Sequence, residues 1–558
     1  METTSDSLKH FALWLAALFL TVLGAKLWIV QLYGSPLPLW DQWYEAIWFF
    51  KGWVEGHLTW SDFFAAQNGH RIFFMRLLDL SVIRLNGRWE PMLQMTVNVF
   101  IHAASVCGLA FCLWHFLGRK NGWFICFLLA PFFALPYATE NTIWAISSLG
   151  NFVNLFTLAT LVGLGFAKPG RRWWWLGLAA AIMGLFTVSS GSLAPMTVGG
   201  LMILRAIKHR RIERGSLITL AACLVVIGLG LVLGITTEID RPLRAHSLTE
   251  FAAALVRNLT WLFFDAPAMG CFILLPLILL AALYFRQDFQ ASRAAELVLG
   301  LGLWSALQSV GLAYGRANFG GIFPVSRYLD VLNFFVIASL FASVLLAQSW
   351  LRGAVSRKFA LLPPLVFSAV IVLGLGRISQ IVVENLLRPT RMMNLVAEER
   401  VATFMATGDQ RELLEQPTVR PDPEVVLEVL RTTQLQTILP AVCLPPADAH
   451  VTGRFTAVSQ WLLRNSTGLL YCGLGLFTGL IGCALIRSPL GLAWENLPAG
   501  IAFLAILAAL GFVWSKAPVK RATIERDLDY KLAADFKSMN NLKRAAIFEH
   551  RGDLLKNQ

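Results

Sequence analysis

Apolar runs of about 20 residues, each long enough to cross a bilayer, recur along this chain with polar segments between them. Counting them predicts about thirteen spans, near 10-33, 92-117, 122-138, 148-167, 173-189, 192-207, 216-236, 266-285, 294-314, 328-349, 359-379, 467-486 and 497-515, with a short pair around 173-207. The first run passes Lys26 and continues too far for a cleaved leader, so it reads as a retained signal anchor. The stretch that follows, "WYEAIWFFKGWVEGHLTWSDFFAAQ", is too apolar for a solvated loop and too broken by charge for a span. Its aromatics recur near helical spacing, which predicts one or two helices lying flat in the membrane interface with the aromatics facing lipid. Residues 380-466, with the run "LLEQPTVRPDPEVVLEVLRTTQLQTILPAVCLPP", read as a small soluble insert mixing helical periods with short apolar strands. The tail stretch "IERDLDYKLAADFKSMNNLKRAAIFEH" has good helix formers and no proline, so it reads as helix.

The expected class is an all-α polytopic membrane protein. Its parts are a transmembrane core over 1-379 with a first outer loop at 34-91, the insert 380-466, a C-terminal pair of spans in 467-515 and a helical tail, 516-558. Charge gives the spans a direction. Basic residues gather in "RK" (119-120), "KPGRR" (168-172), "RAIKHRRIERG" (205-215), "FRQDFQASR" (285-293) and "LRGAVSRK" (351-358), and the positive-inside rule makes that side cytoplasmic. Trp173, Trp174 and Trp175 follow one of these loops directly, as an interfacial belt does. The longer segments, including 34-91, 139-147, 187-192, 237-265, 315-327, 380-466 and the tail, fall on the outer side.

The net charge of +13 therefore records topology rather than a nucleic-acid partner, and 56% hydrophobic against 15% charged residues excludes a soluble protein of 558 residues. Of eight cysteines only Cys443 lies in a long polar stretch, so neither a disulfide framework nor a Cys-type zinc site follows. No internal repeat of fixed length is evident, which weighs against an inverted-repeat transporter.

The outer segments hold the candidate chemistry. Asp41 stands at the start of the aromatic stretch and Glu45 lies one helical turn on, so both carboxylates share a face. Asp41 is read either as a helix cap or as a functional acid, since acids near hydrocarbon are costly. "AAQNGHRIFFMRLLDL" contributes Asn68, His70, Arg71 and Arg76; His70 and Arg71 could hold a phosphate, or Arg71 could snorkel to headgroups. "ALPYATENTIWAISSLGN" places Glu140 and Asn141 at the outer end of a span, with Trp144 one turn after Glu140; a helix cap with an interfacial Trp accounts for the acid taken alone. "LFTVSSGSLAP" reads as a tight turn or a close approach to a ligand. In "LAYGRANFGGIFPVSRYLDVL", Arg316 and Arg327 flank a Gly-rich outer loop with Tyr314 and Tyr328 beside them; anion binding, or lipid phosphate, explains cations on the non-basic side. A single His beside Arg is not a metal site.

A large first outer loop that opens on an acid resembles the GT-C superfamily of integral-membrane glycosyltransferases. The series "WDQW", "NGHR", "ENTIW" and "SRY", covering roughly 10-335, resembles a poorly characterised bacterial branch with that organisation. The resemblance implies a multi-pass protein of the bacterial inner membrane whose active face is extracytoplasmic. Its donor would be a polyprenyl-phosphate-linked sugar and its acceptor a cell-envelope glycan, lipid or protein. Asp41 would be the catalytic base with Glu45 close by; His70, Arg71, Arg316 and Arg327 would meet the lipid-linked phosphate, Glu140 would orient the sugar, and Asn68, Asn141 and Tyr328 would complete the binding set. "WDQW" carries one acid where many members show two, so neither a metal nor a cofactor is expected. The competing readings are a transporter, flippase or polymerase of lipid-linked saccharides, and a non-enzymatic assembly protein that uses 380-466.

Overall fold

The computed structural model describes residues 4–118, 122–235, 238–286, 293–319, 324–351, 357–414 and 422–487, apart from 446 and 449, with a few isolated positions in the tail. Among them, ten helices are long and apolar enough to cross a membrane: Leu8–Tyr33, Pro91–Leu117, Ala145–Phe166, Ser189–His209, Arg214–Leu233, Pro267–Tyr284, Arg293–Gly315, Ser326–Ser349, Val366–Thr407 and Ser466–Cys483. The chain is thus an all-α multi-pass membrane protein. Two expected spans are shorter than the apolar runs suggest: Gly122–Ala134, with Pro131 inside it, and Arg172–Gly184, each 13 residues. Helices of that length rise about 20 Å, against a hydrocarbon layer of about 30 Å. The expected span 497-515 and nearly all of the tail 516-558 lie outside the described residues.

Small residues let the helices approach. The first helix packs against Ser466–Arg487. A Cβ on Gly24 would lie 2.2 Å from the backbone N of Leu470, and one on Gly473 would lie 2.4 Å from that of Thr21. Without a hydrophobic drive between helices in lipid, this backbone proximity supplies the dispersion contact that holds them together. Gly163 and Gly177 do the same where Ser148–Phe166 meets Arg172–Gly184.

The outer part differs from expectation in two ways. Residue 380 is not a boundary: one helical run continues from Val366 to Thr407, 42 residues, through a π-turn at Val383–Leu387, and ends at Gly408 with φ 71°. Beyond it the described part of the insert contains short helices and no strand, the longest being Pro423–Arg431 and Thr456–Arg464. The apolar residues of this stretch lie instead on the buried faces of short helices, Val426, Val429 and Leu430 on Pro423–Arg431 and Leu435 on Thr433–Gln436.

The insert also shares a core with the first outer loop. Trp43, Phe49, Phe50, Phe63 and Trp89 pack with Ala397, Val401, Phe404, Val426, Val429, Leu435 and Leu439. These aromatics therefore face protein, which corrects the expectation of interfacial helices with the aromatics turned to lipid. Burial against a neighbour removes the same apolar area from water that lipid would, so the sequence pattern is equal in both cases. Trp40, Trp48 and Trp60 alone of the loop's tryptophans stay outward.

Gly473→Leu is expected to drive the helix pair apart and lower the melting temperature of the detergent-purified protein, with an overpacking cost of about 1–3 kcal/mol or more. Gly475→Leu, whose Cβ would meet nothing within 4 Å, is the control and should leave it unchanged.

Candidate functional site

The first outer loop sets the site through two local devices. Trp40 takes a left-handed backbone, φ 54°, uncommon for a bulky residue, and turns the chain into the short helix Asp41–Glu45. Trp40, not Asp41, is the N-cap residue, and Asp41 makes no capping bond; Gln42 Oε1 accepts from the Leu39 N–H at 3.0 Å instead. The cap reading of Asp41 is thereby replaced, and its Oδ2 accepts from Asn68 Nδ2 at 3.0 Å.

Asn68 sits at the tip of a two-residue hairpin. Ala66–Gln67 pairs antiparallel with His70–Arg71, and the turn residues Asn68 and Gly69 both have positive φ, 46° and 78°. This is the Asn-Gly turn whose twist matches paired strands. Gly69 is required twice, since a Cβ there would also sit 3.0 Å from Asp240 Oδ2. The hairpin puts Asn68 and His70 on the rim and carries His70 to the "VSSGS" turn, where Nδ1 accepts from the Ser189 N–H at 3.2 Å.

Burial pushes the His70 imidazole down to about 4, helped by the charges of Arg316 and Arg327 and opposed by Asp240. The ring is neutral at pH 7. With Nδ1 accepting, the proton sits on Nε2 and is a donor. Asp41 is raised from its ordinary value, chiefly by burial, while Arg327 and the Asn68 hydrogen bond oppose the rise.

Arg327 comes from a distant part of the chain. Its Cζ lies over three rings, 5.5 Å from the Trp144 centroid, 5.2 Å from Phe319 and 5.4 Å from Tyr328. Its backbone is clamped: Glu140 Oε2 accepts its N–H at 3.2 Å, and Asn141 Nδ2 donates to its carbonyl and to Asp330 Oδ2, both at 2.8 Å. Trp144 links the two halves, donating from Nε1 to the Leu39 carbonyl at 3.3 Å and meeting Trp40 edge-on at 5.7 Å. Among the described residues no carboxylate lies within ion-pair distance of the Arg327 guanidinium. The aromatic cage holds the cation in place without neutralising it.

The other candidate arginines are occupied. Arg316 Nη1 pairs with Asp240 Oδ1 at 2.8 Å, and Arg71 donates to the Phe64 and Leu233 carbonyls at 2.9 and 3.3 Å. Arg71 therefore ties the hairpin to neighbouring backbone. Glu45 also leaves the expected set. Both of its oxygens accept from Arg76, Oε2 from Nε at 2.8 Å and Oε1 from Nη2 at 2.7 Å, and both side chains are only 3% exposed. Asp79 lies in the same interior, where burial and the Glu45 charge push its carboxyl well above the usual carboxylate range. Glu140 and Asn141, expected to bind substrate, place Oε2 and Nδ2 on the segment that carries Arg327.

The outer loops thus bring together Asp41, Asn68, His70, Glu140, Asn141, Arg316, Arg327 and Tyr328. Three further participants were not expected. Asp240 balances Arg316, Asp330 holds Asn141, and Trp40 positions Asp41. Comparison of the chain with protein-family models, curated proteins and solved structures finds no match in any of the three.

Arg76→Met would leave the Glu45 carboxylate buried without its cation, and a loss of about 3–5 kcal/mol is expected on unfolding in detergent. The double change Glu45→Met with Arg76→Met should recover most of that loss, because a packed apolar pair needs no compensation.

Proposed function

We propose that this protein is a GT-C-type glycosyltransferase of the bacterial inner membrane, working on its extracytoplasmic face. It would move a sugar from a polyprenyl-phosphate carrier to a cell-envelope glycan, lipid or protein. The observation that carries the reading is that the buried Asp41 carboxylate lies within the field of an arginine, Arg327, that has no ion-pair partner among the described residues. A base and an uncommitted cation on one face match what transfer from a phosphate needs.

In this scheme the acceptor hydroxyl oxygen forms a bond to the anomeric carbon, and the bond from that carbon to the phosphate oxygen breaks. The electron pair leaves with the phosphate, and Asp41 takes the hydroxyl proton. Arg327 and the His70 Nε2–H meet the charge that grows on the phosphate. Arg316 and Asp240 set the field around His70, while Asn68 keeps Asp41 ionised and oriented. The outward Trp40 and Trp48, with the half-buried Tyr44 stacked on Trp48, form an apolar wall for the isoprenoid. The scheme gives Glu45 and Arg71 structural work only. The proposed topology has about thirteen spans, counting Gly122–Ala134, Arg172–Gly184 and 497-515 with the ten long helices.

One observation favours a transporter or flippase as the second reading. Lys26, His102, Asn98, Asn151 and Asn333 are buried within spans, and polar groups at that depth mark pathways as readily as they mark packing. Movement of the carrier lipid across vesicles without a new glycosidic bond would select that reading.

Asp41→Asn is expected to reduce release of polyprenyl phosphate from a lipid-linked sugar donor by about a hundredfold or more, with expression and insertion unchanged. Wild-type release by that variant would remove Asp41 from the chemistry. Arg327→Lys should be impaired too, since an ammonium loses the planar fork and its stacking.

The pH profile carries a sign. Asp41 must be ionised to act and its pKa is raised, so activity should fall on acidification at a pH above the ordinary aspartate range. Asn68→Ala removes a bond that favours the ionised form and should move that limb to higher pH.

A further inference from the structure

At the end of the bundle that carries the basic loops, far from Asp41 in the fold, a cavity of about 510 Å³ opens between four helices. Its walls are the turn after Ser148–Phe166, the last turns of Leu193–His209, and the first turns of Arg214–Leu233 and Arg293–Gly315. Four permanent cations, Lys168, Arg205, Arg211 and Arg293, line it against two acids, Glu213 and Glu296.

The cations divide into two kinds, and Arg211 belongs with the paired ones, its Nη2 donating to Glu213 Oε1 at 3.3 Å. Arg205 is spent: its Nε and Nη2 donate to Glu296 Oε2 at 3.0 and 2.6 Å, its Nη1 donates to the Gly165 carbonyl at 2.6 Å, and Tyr284 Oη donates to Glu296 Oε1 at 3.1 Å. That pair makes a rigid, nearly neutral floor. Lys168 and Arg293 are exposed and have no hydrogen bond or ion pair from their side chains among the described residues. Charge is therefore left over at the rim, where a ligand can meet it.

Two more features narrow the ligand. Gly215 and Ser216 line the cavity at the start of a 20-residue helix whose N-cap residue, Glu213, supplies no capping bond. First-turn amides with no intrahelical acceptor favour an anion with several oxygens. Beside this polar mouth the surface is apolar: Ile212 lines the cavity and is 63% exposed, and Ile207 and Trp173 stand outward close by in the chain. A cation-rich recess with an apolar flank at a membrane edge suits an anion that carries acyl chains.

We infer that this cavity is a binding site for the phosphate of an anionic membrane lipid. Lys168, Arg293 and the amides at Gly215 and Ser216 take the phosphate, and the acyl chains lie along Ile207 and Ile212. A soluble phosphate shares the headgroup chemistry but would gain nothing from the apolar flank.

The test is native mass spectrometry of the full-length protein in detergent, with phosphatidylglycerol and phosphatidylcholine offered separately. Phosphatidylglycerol should be retained in preference, and Lys168→Ala with Arg293→Ala should weaken its retention on the order of tenfold. Ser216→Glu, which adds a negative charge at the mouth without removing a cation, should weaken it as well. A melting curve for each variant shows that the fold is kept. Equal retention by wild type and both variants, or phosphatidylcholine held as well as phosphatidylglycerol, would overturn the site. Displacement of phosphatidylglycerol by millimolar inorganic phosphate would overturn the lipid assignment in favour of a soluble phosphate.

Discussion

The outer architecture depends on one desolvated ion pair. Arg76, on the helix Phe73–Asn86, holds both oxygens of Glu45 and donates its remaining nitrogen to the carbonyls of Asp62 and Ala65, both at 2.7 Å, while its Cζ sits 5.2 Å from the Phe49 centroid. Three pieces of the loop are thereby tied at one guanidinium. Asp41 lies one turn before Glu45, and the hairpin that carries Asn68 and His70 starts at Ala66, next to a carbonyl that Arg76 holds. Both arms of the site therefore inherit their positions from a group shielded from solvent. Such a pair is poor at raising net stability, but its cost when mispaired is high, and that cost selects a single arrangement.

The shared core of the loop and the insert performs a second kind of selection. Trp43, Phe49 and Phe50 close on Val401, Phe404 and Val429, residues some 350 positions away, so the loop cannot reach its shape until the later helix is in place. The same holds for Arg327, whose cage draws Trp144 and Phe319 from separate segments. The site is an assembly of late contacts on a scaffold of spans, and the close glycine contacts at Gly24 and Gly473 keep that scaffold narrow.

How much was legible in the sequence follows from which signals are local. Span positions follow from apolar runs, so most survive in the structure. That acids and arginines at several loop turns could act together was readable as convergence, and Arg327 exerts its charge on both Asp41 and His70. What separates Arg327 from Arg71 and Arg316 was not readable, because the difference lies in partners such as the Leu233 carbonyl and Asp240, which no spacing announces. That Glu45, expected to support Asp41, is held by Arg76 was hidden for the same reason. The hairpin at Gln67–His70 was legible and went unread: an Asn-Gly pair is a strong turn signal even between segments this short. The aromatic run could not tell lipid from protein as its partner, since both reward the same periodicity.

The unbroken run Val366–Thr407 has a mechanical meaning beyond its length. At 1.5 Å per residue its 42 residues make a strut of about 63 Å, roughly twice the hydrocarbon thickness. Its outer portion supplies Ala397, Val401 and Phe404 to the core beneath the site. The core beneath the site is thus tied to a membrane-spanning helix by continuous backbone rather than by a flexible linker, and the π-turn at Val383–Leu387, with Pro389 just after it, is the point at which that strut can bend.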